Sequence, residues 1–508
     1  MPIRLSKSRL LAFRQCERRL WLELHHPELR QDDDASVAAF AVGHQVGDLA
    51  RQLYDPDGSG VLLDPQTEGF GAALARTRTL LATAQPVFEA GFAAAGALAF
   101  ADILLPVDRA GQRRWRMVEV KSSTSVKDYY HDDAAIQAYV AQAAGLALDS
   151  ITVAHIDSRW VYQGGGDYRG LLAEHDLTNS AFTRGPEVRD WIARAQAVAG
   201  LAAEPAVRLG GHCKKPYACG FSAHCRGGTA QAAYPVEWLP KRGSRAFTER
   251  LESGVADMRD IDDGLLNERQ LRVKRQSLSG QTWFDATGAA ADLAPYGLPA
   301  WFLDFETISF TVPVWQGTSP YQKIPFQFSV HRLEPGGELV QDAFLDLSGE
   351  DPSLAFAEAL VKACGSDGPV FVYNASFENG RIAELAARFP HLSGALLAIS
   401  ARVVDLYPVA RERYYHPGQQ GSWSIKHVLP AVAPDLRYDA HDGVQHGGAA
   451  MLAYAEAIDP ATGPARREQI RRQLLDYCHL DTLAMVRLWQ FFSGRQPVPA
   501  TPASPQSF

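Results

Sequence analysis

The sequence predicts an α/β chain built as two domains, and three observations carry that expectation. The chain has 508 residues, more than one hydrophobic core ordinarily serves. Two separate stretches each read as apolar strands followed by helices, one over residues 100–144 and one from Ala300 onward. Between them the pair Gly227-Gly228 marks a boundary. The expected limits are a first domain over 1–228, a connector over 229–297, a second domain over 298–494 and a disordered tail over 495–508, where Pro, Ser and Ala dominate.

Each element has a local reason. Ser6 can cap an amphipathic helix over 6–24, and 32–53 reads as a second helix. Strands over 100–105 and 116–120 flank a turn-rich segment at 107–113. Residues 132–144 follow a helical pattern, 151–161 alternate like a strand, and 177–203 are mostly helical. The connector is polar, with helical pieces. In the second domain an apolar strand at 301–305 is followed by strands near 327–332 and 370–373, then by helices.

Composition narrows the function classes. Lys plus Arg number 50 and Asp plus Glu 58, a net charge of −8. That sign excludes a histone-like, purely electrostatic nucleic-acid binder. Arg4, Lys7, Arg9, Arg14, Arg18 and Arg19 form a local basic stretch, which reads equally as a solvated helix face. The apolar run 90–101 is too short to cross a bilayer, and the N-terminus lacks an apolar signal core. A cytoplasmic protein without membrane association is expected. No P-loop motif is present, so no P-loop motor lies in this chain.

Three constellations carry chemistry. In the first, Asp102 interrupts an apolar strand, and Glu119 and Lys121 follow on a second strand. Strand alternation puts Glu119 and Lys121 on one face. Buried there, they need partners, and a divalent cation is one. The plain alternative is a Glu–Lys pair on an edge strand. Asp133 and Gln137 lie one turn apart on the helix that follows. In the second, Cys213, Cys219 and Cys225 form a cluster, with Cys16 as a fourth thiol far upstream. Such density in a reducing compartment points to metal, with zinc, to which His212 or His224 is available, and free thiols as alternatives. In the third, Asp304 and Glu306 share one face of an apolar strand, Asn374-Ala-Ser-Phe377-Glu378 leads a strand into a helix, and Tyr477 and Asp481 share a helical face. Asp405 and Lys426 are accessory candidates, Lys426 also reading as a solvated lysine. Cys364 and Cys478 read as buried thiols.

These motifs resemble known families. Asp102, Glu119-Val-Lys121 and Asp133-x3-Gln137 resemble the RecB-type PD-(D/E)XK nucleases. The resemblance implies a restriction-endonuclease-like αβ core, catalytic Asp102, Glu119 and Lys121, and a supporting Gln137. The family has Gln-x3-Tyr, whereas Tyr139 follows Gln137 by two. An upstream metal-binding His has His44 as its candidate, which also reads as a helix-surface residue. One upstream and three clustered cysteines resemble the iron–sulfur RecB-like exonucleases, implying a 4Fe–4S cluster on Cys16, Cys213, Cys219 and Cys225. The third constellation resembles the DnaQ-like DEDD exonucleases with an RNase H-like fold. That resemblance implies Asp304, Glu306, Glu378 and Asp481 as ligands of two Mg²⁺ or Mn²⁺ ions, with Tyr477 beside the attacking water and 3′-to-5′ polarity. Glu378 stands where that family has Asp, one carbon–carbon bond of about 1.5 Å longer.

The whole order resembles the bacterial family defined by domain of unknown function 2779. The function implied is metal-dependent hydrolysis of DNA or RNA phosphodiesters on single strands or ends, with a helicase or a repair or defence complex as partner. Two readings compete. In one, only the N-terminal site cuts and the C-terminal domain binds nucleic acid. In the other, the chain is a non-catalytic scaffold.

Overall fold

The computed structural model describes residues 4–32, 34–227, 232–240, 244–252, 254–438 and 443–496. The chain clusters into two compact units, Met1–Gln231 with Phe310–Tyr321, and Ala232–Ser309 with Gln322–Phe508. Both are α/β, as the sequence predicts. Most of the expected tail, 497–508, lies outside the described residues. Among the described residues no helix is long and apolar enough to cross a membrane.

The first unit carries β1 (Leu5–Ser6), β2 (Val61–Leu62), β3 (Val87–Ala94), β4 (Ala97–Arg109), β5 (Gln112–Lys121), β6 (Leu148–Ile156) and β7 (Leu172–Asp176). They form one sheet in the order β2-β3-β4-β5-β6-β7, with β1 added beside β4. Two tight hairpins organise its centre. Ala95-Gly96 joins β3 to β4 and Ala110-Gly111 joins β4 to β5, at φ of 53° and 82° and of 52° and 80°. Two consecutive positive φ values match the right-handed twist of the paired strands, and glycine accepts the second without strain. The turn-rich segment of the sequence is thus a two-residue turn inside longer strands, and the apolar run 90–101 is the first hairpin.

Two further readings change. The helix expected over 6–24 is two, α1 (Lys7–Gln15) and α2 (Glu17–His25). Cys16 between them is extended, at φ −164° and ψ 126°, and its N–H still bonds Ala12 O. Ser6 does cap α1, its hydroxyl accepting from the Arg9 N–H at 3.3 Å. The strand expected over 151–161 is β6, which leaves the sheet after Ile156. Helices α3 (Asp34–Tyr54), α4 (Phe70–Leu80) and α5 (Asp128–Ala143) complete the site's surroundings. Ala134, Ala135, Ala138 and Ala141 on α5 are fully buried, so short side chains bring that helix close to the sheet.

The second unit contains β9 (Ala300–Ser309), β10 (Lys323–Leu333), β11 (Leu339–Leu345), β12 (Val370–Val372) and β13 (Val403–Asp405), ordered β11-β10-β9-β12-β13. β9 is central, antiparallel to β10 and parallel to β12. β8 (Trp283–Phe284) and β14 (Tyr414–Tyr415) form a separate ribbon. The long helix Pro464–Phe492 buries Trp489 against Phe302 and Phe371, with ring centroids 5.9 Å away in both cases. The expected connector belongs to this unit, placing Met258, Val273 and Leu293 in the same core as Phe302 and Trp489. Conversely, Phe310–Tyr321, expected in the second domain, clusters with the first unit. Its backbone pairs there: Tyr162 N–H donates to Thr318 O at 2.9 Å and Gly317 N–H to Tyr162 O at 2.8 Å.

Phe302 is fully buried. Phe302→Ala is expected to cost about 3–5 kcal/mol, read as a lowered denaturation midpoint.

Candidate functional site

The first site sits at a gap in a strand ladder. Along one edge of β4, β1 pairs with Ala97 and Leu98, and β5 pairs from Ile103 onward. Asp102 falls between. Its Oδ2 accepts from the Val120 N–H at 2.8 Å, a donor the ladder leaves over. Glu119 and Lys121 point from β5 toward α5, where Asp133 and Gln137 stand one turn apart. Lys121 Nζ donates to Glu119 Oε1 at 2.6 Å and to Asp133 Oδ2 at 2.7 Å. Gln137 Nε2 donates to Glu119 Oε2 at 2.6 Å and to Asp133 Oδ1 at 3.1 Å. The structure therefore brings together all four residues predicted here.

It also adds residues that sequence reading did not assign. Lys7, first residue of α1, donates to Glu119 Oε1 at 2.8 Å and lies 3.1 Å from Asp133 Oδ1. Asp133 is as central as Glu119, with side chains 2% and 3% exposed. The ring of Tyr130 lies 5.2 Å from Lys121 Nζ, and its hydroxyl bonds Ser123 Oγ at 2.9 Å. Tyr139 is not in the site: two positions from Gln137 it lies on another helical face and packs against the core. Glu89 sits across β3 from Asp102, in the left-handed region at φ 54°. Burial raises its carboxyl, Glu119 adds to the rise, and Lys7, Arg51 and His44 oppose it. His44, exposed on α3, thus lies within electrostatic reach of the site.

Burial, then the charge of Glu119, pushes Asp102 up to about 8. Burial draws Lys7 down, but Asp133 and Glu119 outweigh it and hold the ammonium above its usual range. Asp133 moves the opposite way: burial raises it, and Lys121 and Lys7 more than reverse that. Among the described residues the buried amide oxygen of Gln137 has no hydrogen-bond partner. Both carboxylates already hold the amide nitrogen, so a flip would aim its oxygen at them.

The second site lies on β9. Asp304, Glu306 and Asp481 converge so that one oxygen of each lies within 4.8 Å of the others. β10 carries a bulge between Pro325 and Gln327, at the positions paired with Thr307 and Glu306. Bulges re-aim side chains next to sites. Glu378, in the first turn of the helix Ala375–Arg388, lines the same pocket of about 240 Å³ but is not in that triad. One of its buried oxygens, Oε2, has no partner among the described residues. Asn374 before that helix is left-handed, at φ 98°. Asp405 holds this turn, accepting from the Asn374 N–H at 2.9 Å and the Ala375 N–H at 3.0 Å. Its role is positional.

Tyr477 and Asp481 share the inward face of the long helix. Lys426 is clamped rather than solvated: its Nζ donates to Tyr477 Oη at 3.1 Å and lies over the rings of Tyr438 and Tyr477. Tyr438, unassigned from sequence, donates to Asp481 Oδ1 at 2.5 Å. The buried Cys478 thiol lies 3.9 Å from Asp304 Oδ2, and Cys364 is a core thiol. Burial dominates the acids. It raises Asp304 well above the carboxylate range, helped by Asp481 and Glu306, and pushes Glu306 and Glu378 up to about 8 and Asp481 to about 6.

Cys16, Cys213, Cys219 and Cys225 line one small cavity of about 20 Å³ with Arg18, Arg19 and His212. All four are free thiols. The break between α1 and α2 is what turns Cys16 into this group. Burial raises Cys16 and Cys225, and neighbouring cysteines add to the rise. No three of these sulfurs lie mutually within 4.8 Å, among the described residues. His224 is engaged by Glu204 at 3.2 Å.

Carboxyls with raised pKa bind more protons folded than unfolded, so stability falls as pH rises through that window. Unfolded carboxyls titrate near pH 4, whereas Asp102, Glu306 and Glu378 titrate near pH 8 here. Without divalent cations, thermal stability is expected to fall between about pH 5 and pH 8. Mg²⁺ or Mn²⁺ should restore it at the upper end, and Asp304→Asn should flatten the slope. Melting curves with and without chelator check this.

The family model described as domain of unknown function (DUF2779) matches residues 301–424. This stretch is similar to that family; it begins within β9, at Trp301, and includes Asp304, Glu306, Glu378 and Asp405. No curated protein matches the chain.

Proposed function

We propose that the chain is a metal-dependent nuclease with two active sites, hydrolysing phosphodiester bonds of DNA or RNA at single strands or ends. The observation that carries this reading is the convergence of Asp304, Glu306 and Asp481 within 4.8 Å in a buried pocket. Three carboxylates held that close cannot all ionise unless cations offset them. Oxygen donors of this kind suit Mg²⁺ or Mn²⁺. Such an ion would supply an activated water and offset phosphodiester charge. The unpartnered oxygen of Glu378 fits the same need in the second site.

The chain's own residues have definite tasks in this reading. Asp304, Glu306 and Asp481 are cation ligands, with Glu378 reaching in from the pocket wall. Tyr477 accepts from Lys426, and the Lys426 ammonium lies over its ring, so its phenol is held beside the acids. At the first site Asp102 and Glu119 are the ligands. Lys121 is the cation next to the reacting phosphate, and Gln137 fixes Glu119. The cysteine cavity is read as a 4Fe–4S site on Cys16, Cys213, Cys219 and Cys225. A zinc site on the same cavity, with His212 available, is the alternative. The cluster would tie the N-terminal helices to the end of the first unit, closing a loop of about two hundred residues. Nucleic acid is the partner, with a helicase or a repair or defence complex beyond it.

A second reading has one observation in its favour. Glu378 lies outside the triad, which suits a C-terminal domain that binds without cutting. Digestion of 5′-labelled single-stranded DNA and RNA with Mg²⁺ or Mn²⁺ separates the two. Lys121→Ala and Asp304→Ala are each expected to remove a different set of products by at least about a hundredfold, and the double variant should be inactive. If Asp304→Ala changes affinity alone, the binding reading replaces two-site cutting. Intact substrate with the native chain under both ions contradicts both readings.

The cysteines give a separate prediction. Protein purified without oxygen should contain iron and acid-labile sulfide. Cys213→Ser should lose both and melt several degrees lower. Zinc without sulfide would point to the alternative.

A further inference from the structure

Lys7 has no role in either constellation, yet it is built into the first site. It follows β1, which pairs with β4 at Ala97 and Leu98, so the sheet itself fixes where the side chain starts. Its ammonium reaches Glu119 Oε1 at 2.8 Å and Asp133 Oδ1 at 3.1 Å. The site already has a lysine doing this: Lys121 bonds the same Glu119 oxygen at 2.6 Å and the other oxygen of Asp133 at 2.7 Å. Gln137 spans the same two carboxylates. Two ammonium groups therefore match Glu119 and Asp133 charge for charge. The Lys7 side chain is only 17% exposed. An ion pair of this burial is held by its partners rather than left to solvent.

We propose that Lys7 is a positioning residue, a built-in counter-ion that holds Glu119 and Asp133 in place and competes with a divalent cation for Glu119. The inference rests on the metal-dependent reading of this site. It has a consequence with an unusual sign. A group that merely supports the fold weakens cation binding when it is removed. A competing ammonium strengthens it. Lys7→Met keeps the aliphatic stem and deletes one positive charge beside the carboxylates, and Lys7→Arg keeps the charge.

The test is Mn²⁺ titration by calorimetry of the full chain, with Asp304→Asn and Asp481→Asn present throughout to silence the second site. Lys7→Met is expected to bind Mn²⁺ at least about tenfold more tightly, the scale set by one unit charge a few ångströms away. Lys7→Arg should stay near the parent. Unchanged or weaker Mn²⁺ binding by Lys7→Met, while Asp102→Asn abolishes it, overturns the inference and leaves the metal site standing. Mn²⁺ binding that Asp102→Asn does not alter overturns the metal-dependent reading itself. Should Lys7→Met fail to fold, Lys7→Gln takes its place in the same titration.

Discussion

The structure turns on one constraint: carboxylates placed on buried strands must be neutralised where they stand. Asp102, Glu119, Asp304 and Glu306 all lie on strands packed into sheet cores. Strand backbones cannot swing such groups into water, and the penalty for burying an unpaired charge far exceeds that for an ordinary polar group. The arrangement around each site answers that penalty.

The two sites answer it differently. At the first, the protein supplies its own cations. Lys7 and Lys121 bracket Glu119 and Asp133, and Gln137 completes the lattice. Asp102 is left to be neutralised by a proton or a cation, and its raised pKa is the sign of that. At the second, Asp304, Glu306 and Asp481 face one another while the nearest lysine, Lys426, is turned onto Tyr477. The Tyr438 hydroxyl, which donates to Asp481, and the Lys426 ammonium both favour its charged form, so it rises less than Glu306. Glu119 and Asp133 are thus balanced by side chains, whereas Asp102 and the acids of the second site depend on protons or an added cation.

Much of this was legible in the sequence, for a specific physical reason. Asp-x-Glu on an apolar strand and Glu-x-Lys on another need only the two-residue period of a strand to predict a shared face. Tyr477 and Asp481 need only the helical turn. The α/β class and two-unit organisation follow from the same periodicities. What could not be read depends on long-range placement. Lys7 comes to Glu119 across 112 positions, through the two residues of β1. Tyr438 reaches Asp481 from 43 positions away. Asp133 carried a signal, one turn before Gln137, but its weight appears only when both lysines close on it. The break at Cys16 has no propensity marker, because Gln15-Cys16-Glu17 contains neither Gly nor Pro. Phe310–Tyr321 clusters with the first unit through backbone hydrogen bonds, which composition does not encode.

Crystals grown with Mn²⁺ test most directly the proposal that both carboxylate groups hold cations. Anomalous difference maps should place manganese against Asp304, Glu306 and Asp481, and against Asp102 and Glu119 with Lys7 displaced from Glu119. Density at both places is the predicted result. Maps without manganese at Asp304, Glu306 and Asp481, at concentrations that occupy ordinary surface carboxylates, would contradict the account.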